Sequence, residues 1–312
     1  MPADARPVAA GRITILLCTR NGAAHLGAQL HSYLAQQGVA WDLWVSDDGS
    51  TDGTRGVLER FRADHGSDRR IALIEGPGQG GTANFLALVG HPDLPQGPVA
   101  LSDQDDVWMP HKLARALAGL AGAGEVAIYG AQSLHADAGL RLIGRSRPPP
   151  RTPGFATALV QNVVSGHSLA LSAGARSLAA RAGSPDVPYH DWWLYQLVAG
   201  AGGDVVIDTE AVLYYRQHGG NAMGAHQGLR ATAARLGRIL GRDYGGWIAA
   251  NIAALGGTEP LLTPANRAML RAFRALPTSG PGRAMGLMRL GIHRQGRAAT
   301  AGLWLAAALG RV

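Results

Sequence analysis

Three carboxylates fall within four residues at Asp103-Gln104-Asp105-Asp106. Such groups repel one another unless something positive neutralises them. A hard divalent cation, Mg²⁺ or Mn²⁺, does this with oxygen ligands and keeps positions open for diphosphate oxygens. The same residues also suit an acidic turn that opens a helix near Pro110 and Lys112. A second cluster, Asp47-Asp48-Gly49-Ser50-Thr51-Asp52-Gly53, offers carboxylates able to accept from a base N–H or a ribose hydroxyl. Its glycines allow a tight turn, and Ser50, Thr51 or Asp52 can cap the helix that follows. Asp191, in His190-Asp191-Trp192-Trp193, is either a base for a hydroxyl nucleophile or a helix cap. His218 precedes Gly219-Gly220-Asn221, where the backbone can approach a ligand closely.

These groups matter only if the fold gathers them. Residues 12–18 read as a buried strand, and 23–37 as a helix with Leu26, Leu30, Tyr33 and Leu34 on one face. Residues 41–46 form a second strand, and 53–65 a helix with Val57, Leu58 and Phe61 inward. A short strand at 71–74, a helix at 82–89 and a strand at 98–102 follow. This alternation predicts a mostly parallel central sheet flanked by helices, with ligands beyond the carboxyl ends of its strands. Thr19-Arg20-Asn21, Asp47-Asp48 and Asp103 to Asp106 occupy three such ends.

Further strands are predicted at 167–172 and 204–215, with a Trp-rich helix at 190–199 between them. Of Trp192 and Trp193, one belongs in the core and the other packs there too or stacks on an acceptor sugar. Arg145 to Pro153 reads as a loop over the site. Beyond Gly220 the pattern is helical. In 229–242, Leu229, Ala233, Leu236 and Leu240 oppose Arg235, Arg238 and Arg242; Arg267, Arg271 and Arg274 likewise oppose Leu270 and Phe273.

The segments "VSDDGSTDGT" and "ALSDQDDVW", about 50 residues apart, resemble family 2 glycosyltransferases of GT-A fold. "ITILLCTRNGAAHLGAQLHSYLAQQ" is similar to that family's first strand and helix. "HDWWLYQLVAGAGGDVVIDTEAVLYYRQHGGNAMG" resembles its rhamnosyltransferase-type subgroup. The likeness covers roughly residues 12–224. It implies an α/β GT-A catalytic domain at 1–220 and a basic helical extension at 221–312. It also implies that Thr19, Arg20 and Asn21 line the nucleotide pocket, that Asp47 binds the base and that Asp48 shapes the same pocket. Asp103 would meet ribose or a metal-bound water, Asp105 would be the main metal ligand and Asp106 a supporting carboxylate. Asp191 would be the catalytic base, and His218 a diphosphate or metal contact. Gln104 stands where the family usually has a small residue, a departure shared with the rhamnosyltransferases. The implied activity is inverting transfer, with L-rhamnose from a dTDP donor as the best choice and a UDP- or GDP-sugar as the alternative. The implied acceptor is a glycan or lipid-linked hydroxyl in cell-surface polysaccharide synthesis.

The remaining features narrow this. Gly76 to Gly81 is Gly-rich but does not open the first βα unit, which excludes a nicotinamide fingerprint; Gly80, Gly81 and Asn84 can border the nucleotide. Gly166-His167-Ser168 is placed near the sugar or acceptor. His25, His31 and His111 read as surface residues. The single cysteine, Cys18, excludes a disulfide framework and reads as a small buried hydrophobe. Residues 1–11 lack an apolar signal core, and 298–310 is shorter than the roughly 20 residues of a spanning helix. A cytoplasmic protein, peripheral on the inner face of the membrane, is expected. The net charge of +7 is uneven: from Asn221 onward 12 Arg face only Asp243 and Glu259. That excess fits an anionic membrane surface or a solvated helix face equally. It does not fit nucleic acid, because aromatics are not interleaved with the arginines. A nucleotidyltransferase would want a basic, Gly-rich loop after the first strand, and Thr19-Arg20-Asn21-Gly22 is a thin one.

Overall fold

The computed structural model describes residues 11–217 and 242–312. Nine strands form one sheet: β1 (Arg12–Thr19), β2 (Ala40–Asp47), β3 (Ile71–Glu75), β4 (Val99–Ser102), β5 (Val107–Trp108), β6 (Ala127–Ala136), β7 (Leu142–Arg145), β8 (Ala170–Leu171) and β9 (Asp204–Arg216). Their order is β3-β2-β1-β4-β8-β6-β9-β5, with β7 paired to β6. The first four are mutually parallel. β8 is antiparallel to both β4 and β6, and β9 is parallel to β6. Two reversals cancel, so β1, β2, β4, β6 and β9 all end at the same edge. That edge collects the polar clusters.

Eleven helices are described: α1 (Ala23–Leu34), α2 (Thr54–His65), α3 (Gly81–Val89), α4 (Lys112–Ala121), α5 (Phe155–Ala158), α6 (Ala173–Ala182), α7 (His190–Gly200), α8 (Arg242–Gly257), α9 (Pro264–Arg274), α10 (Gly280–Arg289) and α11 (Arg297–Ala308). Ile13, Ile15 and Leu17 of β1 face Leu26 and Leu30 of α1, Leu58 and Phe61 of α2, and Leu113 of α4. Leu16 and Cys18 point the other way, into a core with α3, α6 and α7. Because side chains alternate along a strand and both faces are covered, β1 is apolar throughout. Tyr244, Ile248, Leu255, Leu270, Phe273, Leu287 and Leu303 join the core that holds Trp193, so the C-terminal helices complete the core on the sheet's second face. Truncating one such leucine to alanine costs about 2–5 kcal/mol.

Several expectations shift. The strand expected at 167–172 is only Ala170–Leu171, because Gly166–Ser168 coils into a 3₁₀ turn. α1 stops at Leu34, where Gln36 folds back onto the carbonyls of Ser32 and Met109. The loop expected from Arg145 begins after β7, and the Arg151 N–H is tied to Gln295. Both tryptophans of α7 are buried, and the Trp192 indole donates to the Ala158 carbonyl, so neither ring is placed to stack on a sugar. Arg271 and Arg274 pair with Glu259, and Arg267 donates to the Glu259 carbonyl, so on α9 the basic face is partly neutralised within the protein. The helix expected at 229–242 lies outside the described residues apart from Arg242. Among the described residues no helix is long and apolar enough to cross a membrane.

Candidate active site

The carboxyl end of β1 turns sharply at Asn21, whose φ of 49° is unusual for a residue with a side chain. The strain is held from several directions. Asn21 Oδ1 accepts from Thr51 N, Asn21 N donates to Ser50 Oγ, and Gly22 N donates to Thr54 Oγ1. Gln104 closes the other side through paired hydrogen bonds to the Arg20 backbone. Its amide therefore ties the acidic segment to the loop at the end of β1.

Asp47 ends β2 and is buried. Its oxygens accept from Thr19 Oγ1 (2.9 Å), Ser50 N and Oγ, and Arg55 Nε (3.0 Å). Burial raises its pKa, but the bonds from Ser50, Arg55 and Thr19 outweigh this and hold the carboxyl below its usual range. Asp48 accepts from Gly78 N and Gly80 N, each at 2.7 Å. Gly78 and Gly80 have φ of 71° and 90°, which glycine adopts without penalty. Asp48 thus holds the Gly-rich run against the end of β2. Asn84 is buried with both amide atoms engaged by Ser46, so it supports the pocket from behind.

The acidic segment after β4 is where charge concentrates. Burial raises the pKa of Asp103, and the charges of Asp105 and Asp191 raise it further; Lys112 opposes them. Asp103 therefore lies within the field of acids from two distant parts of the chain. Asp106 is fully buried; Arg216 N donates to its Oδ1, while its Oδ2 has no hydrogen-bond partner. Burial pushes Asp106 well above the usual carboxylate range.

Asp191 opens α7, where the helix N-terminus favours negative charge. Its Oδ2 accepts from Gly166 N at 2.9 Å and its Oδ1 from Trp192 N. The 3₁₀ turn thus brings Gly166 to the candidate base, while His167 stacks on Tyr215. A Cβ at position 166 would lie 2.8 Å from His190 Nε2, so only glycine fits there without displacement. His25 is half-buried, and His31 and His111 are exposed, as expected. His218 lies outside the described residues.

Two further charged residues complete the site. Lys112 is buried beneath the acids; its Nζ donates to the His167 carbonyl at 2.5 Å and lies 3.8 Å from the Trp108 ring centroid. It is the single lysine among 29 basic residues, and that was the available signal. Arg216 is buried: Nε donates to the Asp105 carbonyl and Nη1 to that of Ala138. Its burial follows from lying at the end of β9 beside the acidic segment.

Among the described residues, no three His, Cys, Asp or Glu side chains form a ready-made metal chelate. Asp103 and Asp105 nonetheless fit a hard cation. They are oxygen donors whose mutual repulsion a divalent charge would relieve, and such sites draw their remaining ligands from substrate phosphates and water.

A family model described as "Glycosyl transferase family 2" matches residues 14–176. The chain is 26% identical over 239 residues to the dTDP-rhamnosyl transferase RfbG of Shigella flexneri, covering 73% of this chain and 80% of that one. Its fold is similar to S. aureus TarS 1-349 in complex with UDP-GlcNAc, with a TM-score of 0.54, 13% identity and coverage of 96% and 90% of the two chains. It is also similar to the mannosyltransferase PcManGT of Pyrobaculum calidifontis in complex with GDP-Man and Mn²⁺, with a TM-score of 0.53, 20% identity and coverage of 100% and 90%.

Proposed function

Since the chain belongs to glycosyl transferase family 2, we propose that it is an inverting, metal-assisted rhamnosyltransferase. It moves L-rhamnose from a dTDP-linked donor to a hydroxyl of a glycan or lipid-linked acceptor in cell-surface polysaccharide synthesis. The observation that carries this is the mutual influence of Asp103, Asp105 and Asp191 at one sheet edge, next to the pocket built by Thr19, Arg20, Asn21, Asp47 and Asp48. The rhamnosyl choice is supported by the likeness to RfbG and by the Gln at position 104. Residues 1–220 form the catalytic domain in this reading and 221–312 a basic helical extension. The protein works on the cytoplasmic face of an anionic membrane.

Each residue then has a task. The loop at 19–21 and the Asp47–Asp48 end of β2 hold the nucleoside. Asp105, with Asp103 and with His218 from the following segment, would hold a divalent cation, Mg²⁺ or Mn²⁺. When bound, that cation supplies Lewis-acid neutralisation of the leaving diphosphate. Asp191, fixed by Gly166 N–H, takes the proton of the acceptor hydroxyl as that oxygen bonds to the anomeric carbon and the bond to the diphosphate breaks. A single displacement inverts the anomeric centre, so a β-linked donor yields an α-linkage.

Thermal shift with dTDP, UDP and GDP, each with Mn²⁺, Mg²⁺ or chelator, tests this reading. Metal-dependent stabilisation by dTDP, absent from Asp105→Ala, is expected. Stabilisation by UDP or GDP alone would overturn the donor, and indifference to metal would overturn the cation. Asp191→Asn is expected to bind donor normally while transfer falls by about 10² to 10⁴.

A further inference from the structure

The β6–β7 hairpin carries three exposed apolar side chains in four residues: Leu140, Leu142 and Ile143, at 37%, 62% and 51% exposure. Arg141, Arg145, Arg147 and Arg151 stand among and after them, all exposed, and none pairs with a carboxylate among the described residues. The acid of this segment, Asp137, is turned onto its own loop, where Oδ1 accepts from Gly139 N and Arg141 N. That loop holds Leu140 at a φ of 63°, a conformation that costs a leucine more than a glycine or asparagine. Nothing in the core requires these apolar groups. The fold displays them, with uncompensated guanidinium groups beside them.

An apolar tip edged by cations matches one surface chemistry in particular. Apolar side chains enter the boundary of the acyl region while guanidinium groups meet anionic headgroups. The location fits as well. β6 ends at the sheet edge that bears the acidic cluster, and Arg216 bonds both the Ala138 carbonyl in the hairpin (2.5 Å) and the Asp105 carbonyl (2.9 Å). A hairpin seated on a bilayer would bring the cleft to the lipid surface.

We propose that the β6–β7 hairpin docks the protein on an anionic lipid bilayer and so presents the cleft to an acceptor carried in that bilayer. The docking stands on the hairpin alone; its purpose rests on the lipid-linked acceptor of the reading above.

The test uses the full chain without donor or acceptor, co-sedimented with vesicles of phosphatidylcholine alone or mixed with phosphatidylglycerol. Binding to the mixed vesicles only, weakened by salt, is expected. Each Arg replaced should cost about fivefold, so Arg141→Ser with Arg145→Ser and Arg147→Ser should cut binding about a hundredfold. Leu142→Ser with Ile143→Ser should weaken binding with its salt dependence retained. All five positions are exposed, so unchanged melting temperatures certify the fold. No binding, or equal binding by the variants, would overturn the docking. A dimer in light scattering that Leu142→Ser with Ile143→Ser dissolves would also overturn it, assigning the face to a second copy through the edge of β7. Vesicle binding that survives while transfer to every lipid-linked acceptor fails would refute the acceptor reading and uphold the docking.

Discussion

Gln104 and Arg20 are joined by two hydrogen bonds: Gln104 Oε1 accepts from Arg20 N at 2.9 Å, and Gln104 Nε2 donates to the Arg20 carbonyl at 3.0 Å. The side-chain amide acts like a neighbouring strand, extending pairing beyond the end of β1. Gly22 makes room for it, since a Cβ there would stand 2.2 Å from Oε1. Two neutral hydrogen bonds contribute about 1–3 kcal/mol together. Gln104→Ala should therefore loosen the pocket loop and weaken nucleoside diphosphate binding about tenfold, with kcat within about twofold. Calorimetric titration checks the first and steady-state kinetics the second. Gln104→Glu should not rescue, because it sets a carboxylate against the Arg20 carbonyl.

Gly166→Ala should act on the other side of the cleft. The added methyl would press on His190 Nε2, 2.8 Å away, and displace the N–H that fixes Asp191. Misplacing a catalytic group by about 1 Å can cost about 10² in rate. The expected result is a kcat lower by about that factor with donor affinity unchanged, read by single-turnover kinetics beside nucleotide titration.

Much of this was legible beforehand, and the reasons are physical. Asp47, Asp48 and Asp103 to Asp106 follow apolar runs whose period and length mark buried strands, and parallel strands place their ends at one edge. Tertiary partners were not legible. Nothing around Gln104 in the sequence shows that its amide pairs with the Arg20 backbone, and nothing around Asn84 shows that both its amide atoms meet Ser46. The burial of Arg216 and Lys112 was not legible either, since it depends on contacts distant in sequence: Arg216 with the carbonyls of Asp105 and Ala138, Lys112 with that of His167. The turn at Gly166–Ser168 was read as strand because His167-Ser168-Leu169-Ala170 alternates polar and apolar in no decisive way.

Lys112 offers a separate test. Burial lowers its pKa, while Asp106 and Asp103 pull it back up. Lys112→Met keeps a long chain over Trp108 but removes both the bond to the His167 carbonyl and a charge facing the acids. Breaking a buried charge arrangement by removing one side costs about 3–5 kcal/mol. The melting temperature should fall accordingly. Lys112→Arg should not restore it, because the larger guanidinium has no room in a fully buried position. A loss within the error of a surface substitution would show that the acids do not need this cation.

The acid limb of stability should depend on His167. Burial, then Lys112 and His135, pull its pKa down to about 3 from an ordinary value near 6.5. The imidazole stays neutral in the fold, stacked on Tyr215 at 4.6 Å, but takes a proton in the unfolded chain. Between about pH 6.5 and 3 the unfolded state therefore binds more protons, so the stabilisation is complete above 6.5 and is lost as pH falls through that window. The slope from this one group is at most about 1.4 kcal/mol per pH unit. His190, whose pKa burial also lowers, adds to it in the same direction. His167→Phe retains the stacking and loses the titration. Urea unfolding measured from pH 7.5 to 4.5 should give the variant a shallower decline than the parent chain; parallel curves would show that His167 is protonated equally in both states.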